Sequence, residues 1–240
     1  MDSFNLHQNT NKPPEIISYR TMRRAIGILG FTFPLIMLAG SFLFGNCKEV
    51  QMSISTYYYT NMRNIFVGYN CAVALFMFAY RGHDWMDNVA GYLGCVFALG
   101  VAFLPCHVNP DQTCLIMTTS HQPVIGRLHN LSALLYFIIL IIYSLFLFPK
   151  THMNVATGER IVMRRQKKKR NLVYYICGSI MTVSLFLIIF YLYYIDDFYP
   201  GLKNHNPVFW LESIMLFSFG ISWLTKGQLF FRDKKHPYSE

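Results

Sequence analysis

The sequence contains 12 acidic residues, and only one of them, Glu212, lies inside a long apolar stretch. If that stretch crosses a membrane, the carboxylate stands where ionisable groups are costly and where they mark functional sites by default. One interpretation makes Glu212 a group that handles a proton or an ion. The other makes it a protonated side chain that hydrogen-bonds a neighbouring helix. The sequence leaves both interpretations open.

Other polar residues flank the apolar stretches on the side where Glu212 is expected. His129 begins the fourth stretch, and an imidazole beside a carboxylate suits proton transfer, so we predict His129 and Glu212 as catalytic candidates. Arg63 and Arg127 stand at the starts of the second and fourth stretches, where guanidinium groups can hold a phosphate or carboxylate. The remaining predicted ligand contacts are Ser53, Ser55 and Tyr58.

Two other interpretations of this polar region compete with a binding cavity. Histidines with a carboxylate could form a Zn²⁺ site, but the HxxxH, HExxH and CxxC spacings are absent. The tyrosine run 57–59 is most simply explained as part of an aromatic belt at a membrane surface. GxSxG, P-loop and GxGxxG motifs are also absent. The predicted site therefore includes no metal ligand, while any cofactor stays unknown and metal binding by the outer histidines stays open. The histidines concerned are His107, His121, His129 and His205.

The elements that must position these residues are apolar helices. Hydrophobic residues make up 53% of the chain and charged residues 14%, against roughly a quarter charged in soluble domains. The mean hydropathy is +0.30. At about 20 residues per span, the chain has room for about six spans. We predict an all-α bundle of six transmembrane helices, near Ala25–Phe44, Asn64–Tyr80, Val89–Pro105, Leu131–Phe148, Leu172–Tyr194 and Pro207–Leu224.

The basic residues predict how these helices are oriented. With the N-terminus in the cytoplasm, alternating loops place 17 of the 21 Lys and Arg on the cytoplasmic side, as the positive-inside rule requires. Both termini are then cytoplasmic, and we predict a multi-pass protein of the plasma (inner) membrane. The basic run 164–170 is expected to contact anionic headgroups rather than nucleic acid. The predicted segments are 1–24 and 225–240 in the cytoplasm, with 25–224 in the membrane.

Three cysteines fall on the outer side, where a disulfide can form. Cys47 follows the first predicted helix and Cys106 follows the third, so a Cys47–Cys106 bond is expected to join two neighbouring helix ends. A Cys106–Cys114 bond is the alternative, and all three thiols reduced is another.

Several segments resemble those of uncharacterised bacterial six-span membrane proteins, of the kind grouped as domains of unknown function. A more distant resemblance is to the DRAM/Sfk-like six-span proteins, through the serines of the first outer loop and His129 at the start of the fourth helix. The resemblance implies six spans and a role in lipid handling, and brings no established active site. The segments are SISTYYYTNMRNIFVG (53–68), FAYRG (78–82), FALGVAF (97–103), FWLES (209–213) and FGISW (219–223).

These features predict an outer-leaflet pocket that binds a lipid or small amphiphile, with or without modifying it. One alternative is a small transporter or channel subunit in which Glu212 couples an ion or proton. A non-catalytic scaffold or sensor is the other. A binding pocket predicts a cavity that opens towards lipid, whereas a transporter predicts a polar path that continues inward.

Overall fold

The structure is a computed structural model that describes residues 19–45, 47–82, 84–108, 113–116, 123–150, 165–195 and 200–232. Six long helices account for most of them. They are α1 (Tyr19–Phe44), α2 (Arg63–Ala79), α3 (Trp85–Phe103), α4 (Pro123–Ile142), α5 (Arg165–Phe190) and α6 (Pro207–Lys226). Two π-helical segments, Tyr143–Leu147 and Tyr191–Ile195, extend α4 and α5, and 3₁₀ segments span Ser55–Tyr59 and Pro200–His205.

The predicted all-α fold class is confirmed, since these described ranges contain helices and no strand. Five of the six helices are long and apolar enough to cross a membrane. The exception is α2, which has 17 residues. The number of spans and the side on which the termini lie stay predictions.

Five of the six helices begin earlier than their predicted apolar stretches, by one residue in α2 and by four to eight residues in α1, α3, α4 and α5. A capping box between Asp84 and Asp87 starts α3 at Trp85. The first residue of α4 is Pro123. Proline suits the first turn of a helix, because a backbone N–H in that turn has no partner within the helix and proline lacks this N–H. The described part of the basic run, from Arg165 onward, forms the first turns of α5. Arg164, most of the predicted segment 1–24 and residues 233–240 lie outside the described residues.

The helices pack in a closed ring in which each contacts the next and α6 returns to α1. The closure between α1 and α6 depends on two glycines. A Cβ on Gly220 would lie 2.7 Å from the Cβ of Phe31 and 2.8 Å from the carbonyl oxygen of Gly27. Because no larger residue fits between these backbones, Gly27 and Gly220 let the two helices approach closely.

We call one end of the bundle the basic end, because Lys and Arg side chains bind the carbonyl groups where helices finish. Arg24 Nε donates to the Gly227 oxygen at 3.0 Å, just after α6. Lys226 Nζ donates to the Phe148 oxygen at 3.2 Å, at the end of the α4 extension. Cations are favoured at helix C-termini, which carry unpaired carbonyls and partial negative charge.

The predicted Cys47–Cys106 disulfide is wrong, because Cys47 pairs with Cys114 at a Cα–Cα distance of 5.5 Å. The chain after α3 runs across the end of the bundle, where the Ile116 N–H donates to the Tyr59 oxygen at 3.0 Å. This path carries Cys114, and not the nearer Cys106, to the end of α1. Cys106 is a buried free thiol.

Candidate functional site

The chain between α1 and α2 folds back into the end of the bundle opposite the basic end. We call residues 50–60 the plug and this end the plug end. Because several plug residues are fully enclosed, the plug belongs to the core rather than to a surface loop. Its buried residues are Gln51, Ile54, Thr56, Tyr57, Tyr58, Tyr59 and Thr60.

The interpretation of the tyrosine run 57–59 as a surface belt is wrong. Tyr57 is 0% exposed and Tyr59 3% exposed, and both pack in the hydrophobic core. The Tyr59 hydroxyl donates to the carbonyl oxygen of Cys106, which ties the plug to the chain after α3. The run is buried because the plug turns inward.

The plug is fastened to the start of α6 by backbone and side-chain hydrogen bonds. The Phe209 N–H donates to the Met52 oxygen at 3.1 Å, and Asn206 Nδ2 donates to the Val50 oxygen at 2.9 Å. The third bond involves Glu212, whose Oε2 accepts the Ile54 N–H at 2.7 Å. Glu212 therefore has a definite partner in the backbone of the plug, and that partner is not the predicted His129.

A cavity of about 970 Å³ lies beside the plug, between α4, α5 and the start of α6. It brings together five residues from three separate parts of the sequence. All five belong to the predicted site: Ser53, Ser55, Arg127, His129 and Glu212.

Other residues in the wall of this cavity are apolar. Leu134 and Phe137 come from α4, and Leu185, Ile188 and Ile189 come from α5. The cavity thus has a polar side, next to the plug, and an apolar side between two helices. This division matches the two parts of an amphiphilic molecule.

His129 is buried in the first half of α4, with 2% of its surface exposed. Its Nδ1 lies 2.7 Å from the carbonyl oxygen of Leu104, just after α3 ends. Its Nε2 is enclosed and has no hydrogen-bond partner in the described part of the chain. His129 lines the cavity, and its Nε2 would gain a partner if a ligand donor displaced the atoms that cover it.

His129 and Glu212 line the same cavity but form no direct pair. His129 binds Leu104 and Glu212 binds Ile54, and the ion pairs of Lys150 with Asp84 and Asp87 involve neither of them. Proton transfer between His129 and Glu212 would therefore need an intervening water or ligand group. Their joint catalytic role stays a prediction.

Arg63 and Tyr58 lie elsewhere, and neither lines the cavity. Arg63 donates to the Tyr58 hydroxyl at 2.8 Å, and its guanidinium carbon lies 4.5 Å from the centre of that ring. This pairing of a cation with an aromatic ring stabilises the start of α2 against the plug. Arg127 does reach the cavity, and its Nε donates to the Pro123 oxygen at 3.3 Å.

Cys106 also lines the cavity, although no sequence pattern marked it as a site residue. Burial, with the charge of Glu212 as the second cause, raises the pKa of the Cys106 thiol to about 12. The thiol is therefore protonated at neutral pH and a poor nucleophile. We assign it to the wall of the cavity and not to covalent chemistry.

The apolar wall was also missed, for a simple reason. Because α5 is apolar along most of its length, nothing in the sequence distinguishes Ile188 or Ile189 as a residue that faces a cavity.

No group of three or more His, Cys, Asp or Glu side chains suited to a metal ion occurs in the described ranges. His121 lies outside those ranges.

Comparison with protein-family models, with curated proteins and with solved structures finds no match for this chain. The arguments for its function therefore depend on the cavity itself.

Proposed function

We propose that this chain is a six-span protein of the plasma membrane whose plug end carries a pocket for a lipid or small amphiphile. The observation that carries the proposal is the two-sided cavity beside the plug. Its volume of about 970 Å³ is within the range of small-molecule sites, roughly 300–1,000 Å³. A polar head would lie against His129 and Glu212, and an apolar tail between α4 and α5.

The position of the cavity favours entry from the membrane. Its apolar wall belongs to α4 and α5, which carry exposed apolar residues such as Leu131 and Phe186. In a bilayer, such surfaces face acyl chains. A ligand could therefore slide between the two helices with its tail still in an apolar environment.

The walls of a second, smaller cavity argue against the transporter alternative. This space of about 40 Å³ continues from Glu212 into the bundle, and its wall includes Phe33, Val73 and Leu216. Asn70 also lines this space, and its Nδ2 donates to the Phe66 oxygen at 2.9 Å. A path for ions would need polar groups there, and this wall is mainly apolar.

The proposed orientation places the basic end at the cytoplasmic leaflet. Lys168 and Lys169 are exposed at the start of α5, where anionic headgroups would attract them. The plug end, with the Cys47–Cys114 disulfide, would then face an oxidising compartment. The resemblance to bacterial six-span proteins and to DRAM/Sfk-like proteins agrees with a lipid ligand and stays a prediction.

The test is to fill the cavity with a larger side chain. Ile189 lines the cavity and is 38% exposed, whereas Leu187 is 42% exposed on the same helix and does not line it. We expect Ile189→Trp to lose most of the binding of hexadecyl amphiphiles, and Leu187→Trp to keep it. Native mass spectrometry of the full chain in mild detergent measures the bound fraction. Equal binding by the two variants would contradict the proposal.

A further inference from the structure

The hydrogen bond between His129 and Leu104 determines which ring nitrogen carries a proton. A carbonyl oxygen can only accept, so Nδ1, at 2.7 Å from it, must carry the hydrogen. Because the ring is 2% exposed and has no carboxylate in contact with it among the described residues, the neutral form is favoured there. In a neutral imidazole with hydrogen on Nδ1, Nε2 is an acceptor only.

His129, which lines the cavity, therefore carries an enclosed acceptor that no described group satisfies, since its Nε2 has no partner. Glu212 adds a second acceptor, because its carboxylate has capacity beyond the one bond from Ile54. Both residues line the same space. A ligand that satisfies this side of the cavity must bring hydrogen-bond donors.

Resting on the proposed function, we infer that the cavity takes an amphiphile whose head carries a hydroxyl group, and that this hydroxyl donates to Nε2 of His129. A hydroxyl supplies one donor on a small neutral group. An ammonium head would also donate, but it is strongly hydrated and would lose that water against a buried neutral ring. The neutral donor fits better.

The experiment compares three probes of equal chain length on the full-length protein: 1-hexadecanol, hexadecyl methyl ether and 1-hexadecylamine. The ether keeps the oxygen and removes the donor. One hydrogen bond of ordinary strength predicts that the alcohol binds up to about tenfold more tightly than the ether. Native mass spectrometry of the detergent-solubilised protein measures the affinities side by side.

Two variants locate the preference. His129→Asn keeps a donor for the Leu104 oxygen and removes the acceptor at Nε2, so the alcohol and the ether should bind it equally. Leu187→Trp changes a residue outside the cavity wall and leaves Nε2 in place, so the preference for the alcohol should persist. The comparison of probes on the unmodified protein decides the matter even if a variant fails to fold.

The outcomes separate this inference from the proposal on which it rests. Equal binding of alcohol and ether, or tighter binding of the amine, would overturn the hydroxyl inference while leaving an amphiphile pocket in place. Failure of all three probes to bind would overturn both. A preference for the alcohol that His129→Asn does not reduce would also overturn the assignment to His129.

Discussion

Glu212 shows how a carboxylate buried in a bundle can be held by a local structural need. Its Oε2 accepts the N–H of Ile54, a backbone donor that would otherwise be enclosed without a partner at the start of the plug's 3₁₀ segment. The same carboxylate also lines the cavity. The two roles are separable, because the hydrogen bond needs an acceptor and not a charge.

We therefore expect two substitutions of Glu212 to differ. Glu212→Gln keeps an oxygen for the Ile54 N–H and should preserve the stability of the fold. Glu212→Met keeps the length of the side chain but leaves the N–H unpaired, which costs about 1–3 kcal/mol. Thermal unfolding in detergent measures the difference. If both variants unfold at the temperature of the unmodified chain, the anchoring role is wrong.

Part of the site could be predicted at this scale, and the reason is the cost of burying polar groups. Glu212 stands out because it lies within an apolar stretch and His129 because it directly precedes one, and the structure places both at one cavity. Arg63 and Tyr58 have equally polar groups but bind each other. Cys106 could not be found, since a cysteine that follows an apolar helix has no feature that separates a cavity wall from a disulfide.

At the scale of the elements, the contact between α1 and α6 requires glycine, which has no side chain, at two positions. Gly27 and Gly220 face each other across the two helices, with no room for a Cβ on either. Helices in a membrane gain little from burying apolar surface against each other, so close packing of this kind carries much of their association. Small residues at the contact are thus a structural requirement.

Two glycine substitutions test this requirement. Gly220→Ala should destabilise the bundle by about 1–3 kcal/mol, because the added carbon meets backbone and Cβ atoms that cannot move aside. Gly68→Ala is the matched control, since a Cβ there meets nothing within 4 Å in the middle of α2. It should be neutral or raise stability by about 0.5–1 kcal/mol. Chemical denaturation of the purified protein compares them, and equal losses would contradict the role of Gly220.

The helices themselves could be predicted because long apolar runs have few other stable forms in lipid. Their first residues could not. The apolar pattern does not include the polar turns that precede a span. The predicted stretches therefore begin at Leu131 and Leu172, whereas α4 begins at Pro123 and α5 at Arg165. The plug was missed because its segment is neither long nor apolar enough to give a signal by itself.

At the scale of the whole molecule, the two ends of the ring are built differently. The basic end joins helix C-termini to Arg and Lys side chains, whereas the plug end is closed by a folded-back loop and a disulfide. This asymmetry agrees with the orientation predicted from the basic residues. Basic residues at this end also cap the C-termini of helices, and a count of charges does not show this second role.

Labelling of single introduced cysteines tests the orientation. Lys168→Cys lies in an exposed position at the basic end, and Gly201→Cys lies at the plug end, where a Cβ meets nothing within 4 Å. An impermeant maleimide added to intact cells should label the cysteine at position 201 and not that at 168. After permeabilisation, both should react. Labelling at 168 alone in intact cells would reverse the proposed topology.

The disulfide between Cys47 and Cys114, 67 positions apart in the sequence, makes a covalent ring that encloses all of α2 and α3. A protease that cuts once inside this ring, for example after the exposed Arg81 at the basic end, leaves two fragments that cannot separate. Such a molecule migrates as a single band until a reductant is added. The connection between α2 and α3 can thus be severed at one end of the bundle while a bond at the other end keeps the halves together.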